Sequence, residues 1–447
     1  NYKLMERYLF TFTGRYDGSS MFGSNNRYGF FPSGAIAWRI SQEKFMKNLT
    51  FINDLKLRAS VGTTGTQNLT SFSNRDLYEA TSYNNLSAII HKQVGNRDIR
   101  WEKSTQYDLG LDFALFDYRL TGSISGYIKD TKDLIWSFDF PPSATGGSMQ
   151  MNRNIGALTN RGIEINLVGR VLSTKDWNLD LTLNMSHNKN KVTKLVEEGR
   201  AQSAMNVVVQ GSYADQVLAV GYPMGAFHGY EYAGIIQDQA RIDELNAYAK
   251  SKGQSYYDGN LKPGHLEIKD LNGDGIINYN DRVIIGNPDP DLFGGLTANL
   301  SYKQFSLFAN FGYQIGGLKI YNKTLQNLPG QLTGLIDYGL NDRWSDTNKD
   351  AKYPALYIGD GVPRLTDHEL FNASFFRLQE VRLTYNLPLN KVIKGQLFVS
   401  ATNLFTLTSY PGTDPATVNS NSNYGGNYET STYPGFRSFS AGLKINL

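Results

Sequence analysis

Between Asp270 and Asp281 the sequence reads Asp-Leu-Asn-Gly-Asp-Gly-Ile-Ile-Asn-Tyr-Asn-Asp. Asp270, Asn272, Asp274, Asn278 and Asp281 place side-chain oxygens at positions 1, 3, 5, 9 and 12 of that run. Gly275 sits at position 6, where the chain must turn sharply, and position 7 offers the main-chain carbonyl of Ile276. Alternate residues of a tight loop converge on one point, and a ring of oxygen donors is what a hard cation such as Ca²⁺ requires. The closing residue is aspartate where the commonest calcium loops have glutamate, so the last ligand is shorter. The segment 238–250 suits a helix before the loop, whereas Val283-Ile-Ile-Gly-Asn-Pro288 after it does not. The expectation is a structural Ca²⁺ loop without a second helix, within residues 238–291. The plainer alternative is a solvated loop of Asx turns.

Other chemistry is sparse. The five histidines (His91, His187, His228, His265 and His368) have no second His at zinc spacing, and the chain has no Cys. No nucleophile elbow, phosphate-binding loop or dinucleotide fingerprint occurs. Glu197 and Glu198 are adjacent on a loop, unlike an acid–base pair set across a cleft. No enzymatic activity is expected. A formal charge of +3 without a long basic run gives no reason to expect nucleic acid. Trp344, Tyr353, Tyr357, Tyr410 and Tyr424 lie in or beside long loops, where rings could stack on sugars or peptide side chains. For each, packing within the loop is the ordinary alternative.

The elements that must position these residues are strands. The 447 residues include 28 Tyr, 24 Phe, 5 Trp and 44 Gly, with only 19% charged against a typical ~25%. No stretch reaches the roughly 18 apolar residues of a membrane helix. The dominant pattern is alternation with period two. Trp177, Leu179, Leu181, Leu183 and Met185 oppose Asn178, Asp180, Thr182, Asn184 and Ser186. Tyr107 to Leu115 and Phe439 to Leu447 repeat the pattern. Further segments start near Tyr8, Tyr28, Asp54, Tyr118, Gly162, Val207, Ala226, Phe293, Ser306, Phe375 and Gln396. About 14 such strands fall within the range of outer-membrane barrels.

Connection lengths alternate as well. Short turns stand at Phe116–Tyr118, Ser173–Trp177, Gly221–Gly225, Tyr302–Gln304 and Leu387–Gly395. Long loops run from Thr66 to Ile99, Gln237 to Leu292, Gly317 to Ser374 and Pro411 to Gly435. Short periplasmic turns and long extracellular loops are the outer-membrane pattern. The chain is therefore expected to be all-β, a transmembrane antiparallel β-barrel, because a closed barrel satisfies every strand in lipid. Lys56, Arg58, Glu164, Arg170, Asp180, Glu380, Arg382 and Lys444 would face the lumen. Fourteen strands closing on themselves would make a passive porin.

Several stretches together resemble the SusC/RagA family of TonB-dependent outer-membrane transporters. They include Arg15-Tyr-Asp-Gly-Ser-Ser20, Leu55-Lys-Leu-Arg-Ala-Ser-Val-Gly62 and Arg100-Trp-Glu102. Asn154-Ile-Gly-Ala-Leu-Thr-Asn-Arg-Gly-Ile-Glu164, Asp270 to Gly286, Ser374 to Tyr385 and Asn403-Leu-Phe405 continue the match in family order. The resemblance implies a barrel of about 22 strands with a lumen plug. Residues 1–447 would then be the C-terminal part of that barrel, with the plug outside this chain. It also implies TonB-dependent import of oligosaccharides or peptides across the outer membrane of a Gram-negative, Bacteroidota-type cell. A SusD-like surface lipoprotein would lid the barrel, and a TonB complex would act through the missing N-terminal part. The long loops carry Trp344, Tyr353, Leu356, Tyr357, Leu370 and Tyr424, which would find apolar cover against that lipoprotein. A transporter-like barrel serving as a structural or assembly subunit is the alternative to transport.

Overall fold

The computed structural model describes residues 1–69, 72–140, 149–195, 207–210, 215–321, 342–355, 365–387, 394–417, 428–429 and 435–446. The alternating segments form one antiparallel wall. Its strands are β1 (Tyr2–Leu4), β2 (Tyr8–Gly18), β3 (Tyr28–Arg39), β4 (Ile52–Thr66), β5 (Glu102–Leu115), β6 (Leu120–Phe140) and β7 (Met149–Ser173). They continue with β8 (Trp177–Lys194), β9 (Pro290–Tyr302), β10 (Phe305–Gly316), β11 (Phe375–Leu387), β12 (Lys394–Thr408) and β13 (Ser438–Asn446). Each wall strand pairs with its neighbours in this order. Among the described residues β1 and β13 stand at the two ends of that path and do not pair with each other. The path is therefore not the self-closed barrel that a porin would need.

Register fixes the faces. One cross-strand row runs Leu115, Leu120, Gly169, Leu181, Ala298, Ala309 and Val381. It belongs to an outward face whose large apolar side chains are open, including Phe12 at 75%, Leu109 at 59% and Phe439 at 73% exposure. An apolar surface of this extent is not stable against water and marks a lipid-facing wall. From Leu115 to Tyr107 the band rises about 27 Å along the strand, and strand tilt reduces that to a bilayer-sized height.

The inward face carries paired charges. Lys56 Nζ and Arg58 Nε reach Asp112 at 2.7 and 3.2 Å, and Arg382 meets Glu380 at 2.9 Å. Arg170 stands 3.6 Å from Asp180. Paired in the lumen, these groups avoid the cost of facing hydrocarbon.

Two expected wall strands lie elsewhere. Val207–Gln210 and Ala226–Gly229 join Asp215–Leu218 and Val283–Gly286 in a separate four-stranded sheet above the rim. Four residues span only about 13 Å, too little to cross a membrane. Period two cannot tell these segments from wall strands, because Phe227 and Val217 are buried in the cap as firmly as any core residue. In exchange, Tyr2–Leu4 pairs onto β2 as a wall strand without an alternating run of its own.

Candidate functional site

The long connections after β8, β10 and β12 leave the same rim of the wall and knit into one cap. The segments after β8 and β10 are joined by the Tyr230–Thr366 bridge and by Tyr232 N–H donating to Asp367 at 2.7 Å. Ala355 N–H donates to the Gly264 carbonyl at 2.8 Å, and Phe227, Ile320 and Leu365 share a buried cluster. The segments after β10 and β12 are joined by strand Leu318–Tyr321, which pairs in parallel with Tyr428–Glu429. Buried Lys319 donates to the Asp414 carbonyl at 3.2 Å, to the Thr417 hydroxyl at 2.9 Å and to the Thr417 carbonyl. Arg377 on β11 holds Asp414 at 2.5 Å.

The aromatic candidates belong to this packing. Trp344 is buried against Ala351 and Ala355, and its indole N–H donates to Gln237 at 2.9 Å. Tyr353 is buried beside His368, and Tyr410 is buried between Tyr321 and Phe371. These three rings hold loops together and offer no open stacking face. Tyr357 and Tyr424 lie outside the described residues, as does Leu356. Leu370 packs on the Phe227 cluster. Among the described residues Trp344, Tyr353 and Leu370 thus find apolar cover within the loops, without a lipoprotein.

His368 is a stitch in the cap. Its Nδ1 lies 3.3 Å from Glu369, its Nε2 lies 2.8 Å from the Lys352 carbonyl, and its ring meets Tyr232. Burial alone would lower its pKa, but the Glu369 hydrogen bond and charge, the Lys352 carbonyl and the Asp367 charge outweigh burial and raise it. A pKa raised on folding gives stability that is full below the ordinary histidine value and lost as pH rises through the raised one. Amide protection factors in 365–372 and 352–355, in which the base-catalysed rise of intrinsic exchange is divided out, are therefore expected to be higher near roughly pH 5 than near roughly pH 8.5. His368→Gln should abolish that step, and a wild-type profile flat in pH would reject the coupling.

The Asp270–Asp281 loop sits on the cap's other core. Asp238 caps helix α1 (Gln239–Ser251) by accepting from Arg241 N–H at 3.0 Å. The helix buries Ile242, Leu245 and Ala249 against Ile236, Tyr257, Ile268 and Ile277. Tyr257 ties core to loop: its hydroxyl donates to the Ile268 carbonyl at 2.8 Å and accepts from Asp270 N–H at 3.1 Å. The expected helix is present, and after the loop the chain goes to strand Val283–Gly286 and not to a second helix.

The loop residues come together. The two oxygens of Asp270 accept from Gly273 and Gly275 N–H at 2.7 Å each. Gly275 has φ +85°, and a Cβ there would meet Lys252 at 2.7 Å, so only glycine fits. Asn272 accepts from Asp274 N–H at 2.8 Å and Asp274 from Ile276 N–H at 3.0 Å. That Ile276 hydrogen bond holds the Asp274 carboxyl below the usual carboxylate range. Asp281 is fully buried and accepts from Asn278 N–H at 2.8 Å and Leu271 N–H at 3.1 Å. The Asn278 amide reaches both Asp274 Oδ2 and the Ile276 carbonyl, at 3.2 and 3.3 Å.

Asp270, Asn272, Asp274, Ile276, Asn278 and Asp281 thus form one hydrogen-bonded ring of oxygens. None of its three carboxylates has a salt bridge among the described residues. Nor does any group of three or more His, Asp or Glu side chains among those residues gather tightly enough to hold a metal by itself. A cation here would need the two asparagines and the carbonyl as well, a mixture of oxygens that Ca²⁺ accepts. The chemistry of the donors fits Ca²⁺, and its effect would be to neutralise the ring and fix the turn.

Sequence reasoning missed the latch of Lys319 on Thr417 and of Arg377 on Asp414, which no local pattern signals. It also missed Thr366 and Glu369, where a legible Thr-x-x-Glu capping box ends in a 2.5 Å contact between hydroxyl and carboxylate.

An outward-apolar antiparallel wall with a charged lumen and an interlocked cap on one rim defines a transmembrane β-barrel of the receptor type. The family model described as TonB dependent receptor-like, beta-barrel matches residues 1–264, and the chain belongs to that family. It is 35% identical to TonB-dependent receptor P3 of Formosa agariphila over 100% of this chain and 44% of that protein. It is 31% identical to TonB-dependent receptor SusC of Bacteroides thetaiotaomicron over 100% of this chain and 43% of that protein. Among solved structures it is similar to the RagAB peptide transporter, with TM-score 0.78 and 28% identity over 98% of this chain and 46% of that one. The chain therefore spans less than half the length of these relatives. Within the family it is of the SusC/RagA type.

Proposed function

We propose that this wall and cap are part of an importer that carries oligosaccharides or peptides across the outer membrane. The uptake would be energised by TonB and assisted by a SusD-like surface lipoprotein. The observation that carries the reading is the lipid-facing wall joined to an ordered cap on a single rim, in a chain of SusC/RagA type. The edges β1 and β13 each need a partner strand in lipid. The parts of the relatives that lie beyond this chain's match are long enough to provide them. Selectivity would come from lumen and cap side chains, with no bond broken. The ring of Asp270, Asn272, Asp274, Ile276, Asn278 and Asp281 would hold a structural Ca²⁺ that stiffens the cap. A solved relative is described as a peptide importer, which supports the peptide half of the substrate reading.

The test is gentle isolation of the full-length protein from outer membranes, with uptake assays in a strain lacking TonB. A surface lipoprotein is expected to co-purify, and growth on oligosaccharides or peptides to fail when either the transporter or TonB is lost. A barrel that purifies alone, and whose deletion leaves growth unchanged, would overturn the proposal in favour of a scaffold.

A further inference from the structure

On the outward face four neighbouring strands carry cations where the rest of the wall does not. Cross-strand pairing sets Leu109, Gly126, Ile163 and His187 in one row. The next row toward the cap is Tyr107, Ile128, Arg161 and Lys189, then Thr105, Asp130, Thr159 and Lys191, then Lys103, Lys132, Ala157 and Lys194. The five lysines and Arg161 are exposed. None of the six has an ion-pair partner among the described residues. The single acid among them, Asp130, accepts from the Thr159 hydroxyl at 2.6 Å.

The flanks are different. The Tyr107 row continues into Val61, Gly34 and Phe12 on one side. On the other side the paired rows begin lower, where the Leu111, Ile124, Ile165 and Met185 row leads to Gly294, Tyr313, Phe376 and Leu407. Among the described residues of β1–β4 and β9–β13, the outward positions carry no Lys or Arg. An unselective interfacial belt runs round the whole barrel, as aromatic girdles do. This strip is about 14 Å wide, three strand spacings.

Its surroundings are shaped. An apolar groove of about 530 Å³ walled by Tyr107, Leu109, Ile128 and Ile163 reaches up to Arg161 and Lys189, which also line it. Gly126 makes its floor, and a Cβ there would meet only the Gly162 carbonyl, at 3.8 Å. Above them lies a polar cavity of about 1000 Å³ that shares Lys132 and Lys194 with the top row and includes Arg100, Arg153 and Asn154. Asp98 and Asp133 also line it, and Asp133 is paired with Arg100 at 2.6 Å.

We propose that this strip binds one membrane lipid with a phosphorylated sugar headgroup. An acyl chain fills the groove, phosphates lie between Arg161 and the lysines, and the sugars occupy the cavity. The inference rests on the reading of this face as lipid-exposed. Charge complementarity selects the occupant, because a zwitterionic lipid would leave the cations uncompensated.

The test places the full-length protein in nanodiscs of phosphatidylcholine doped with lipid A, in either its phosphorylated or its dephosphorylated form. Retained lipid is counted by native mass spectrometry. Wild type is expected to keep the phosphorylated form selectively. The triple variant Lys132→Gln, Arg161→Gln, Lys189→Gln should lose that retention on the order of tenfold to a hundredfold. Gly126→Leu, which fills the groove into open space, should weaken retention of both forms, and Lys175→Gln at the opposite rim should change neither. Equal retention of both forms by wild type, or an unaltered triple variant, overturns the proposal. So does a triple variant that changes the number of barrels per particle and not the lipid count, which would mark a contact between copies. Failure to enter nanodiscs at all would refute the lipid-exposed reading itself.

Discussion

Leu181→Arg is expected to stop the protein from assembling into the membrane, while Thr182→Arg is tolerated. Leu181 faces outward between Gly169 and Ala298, in a row that stays apolar as far as Val381. An arginine near the hydrocarbon midplane costs roughly 2–4 kcal/mol. That is a large share of the 5–15 kcal/mol by which a typical fold is stable. Gly169 and Ala298 offer no polar partner, and the small neighbours give the guanidinium no apolar shelter. Thr182 lies one residue along and on the other face, between Val168 and Thr297. There an arginine joins a lumen already carrying Arg170, Asp180 and the Thr297–Asn310 hydrogen bond. One step of register separates these outcomes because a strand's side-chain period is two. The readout is the folded, heat-modifiable band in the outer-membrane fraction. Equal yields of the two variants would show that the outward face does not meet lipid.

The same periodicity explains what the sequence could and could not reveal. Trp177 to Ser186 was legible because each side chain's face follows from its own neighbours. Val207 and Ala226 look the same in sequence but belong to the cap, since alternation reports two unlike faces and not what covers them. The ring of oxygens in 270–281 was legible because all its members fall within twelve residues. Trp344 was not: its partner Gln237 is 107 residues away. Lys319 and Thr417 are 98 apart. Whether a loop aromatic is open to ligand depends on such distant packing, so Trp344, Tyr353 and Tyr410 read as candidate binders in the sequence and lie buried among loop neighbours in the fold. The outward cations were half legible. Lys189 and Lys191 share a face by spacing alone, but only the register between strands adds Lys103, Lys132 and Arg161.

Removing Ca²⁺ from the full-length protein is expected to loosen residues 270–281 and the α1 core beneath them, leaving the wall intact. The loop concentrates three carboxylates without a countercharge among the described residues, so their mutual repulsion opposes the turn until a cation relieves it. Binding to the folded loop alone stabilises it by about 2.7 kcal/mol at a free concentration a hundred times the dissociation constant. Two substitutions separate the ion from the hydrogen bonds. Asp281→Ala removes the fully buried carboxylate that accepts from the amides of Leu271 and Asn278, weakening the turn whether or not calcium is present. Asp274→Ala removes a half-exposed carboxylate that accepts only local donors. It should therefore leave the calcium-free loop nearly unchanged while abolishing the gain from calcium. Mg²⁺ should not substitute, because it demands a tighter octahedron than a loop with asparagine and carbonyl donors offers. Hydrogen exchange across 270–281, with chelator, Ca²⁺ or Mg²⁺, reads all of these. If the chelator leaves exchange in this segment unchanged and Asp274→Ala behaves as wild type, the ring is a set of Asx turns that holds itself without an ion.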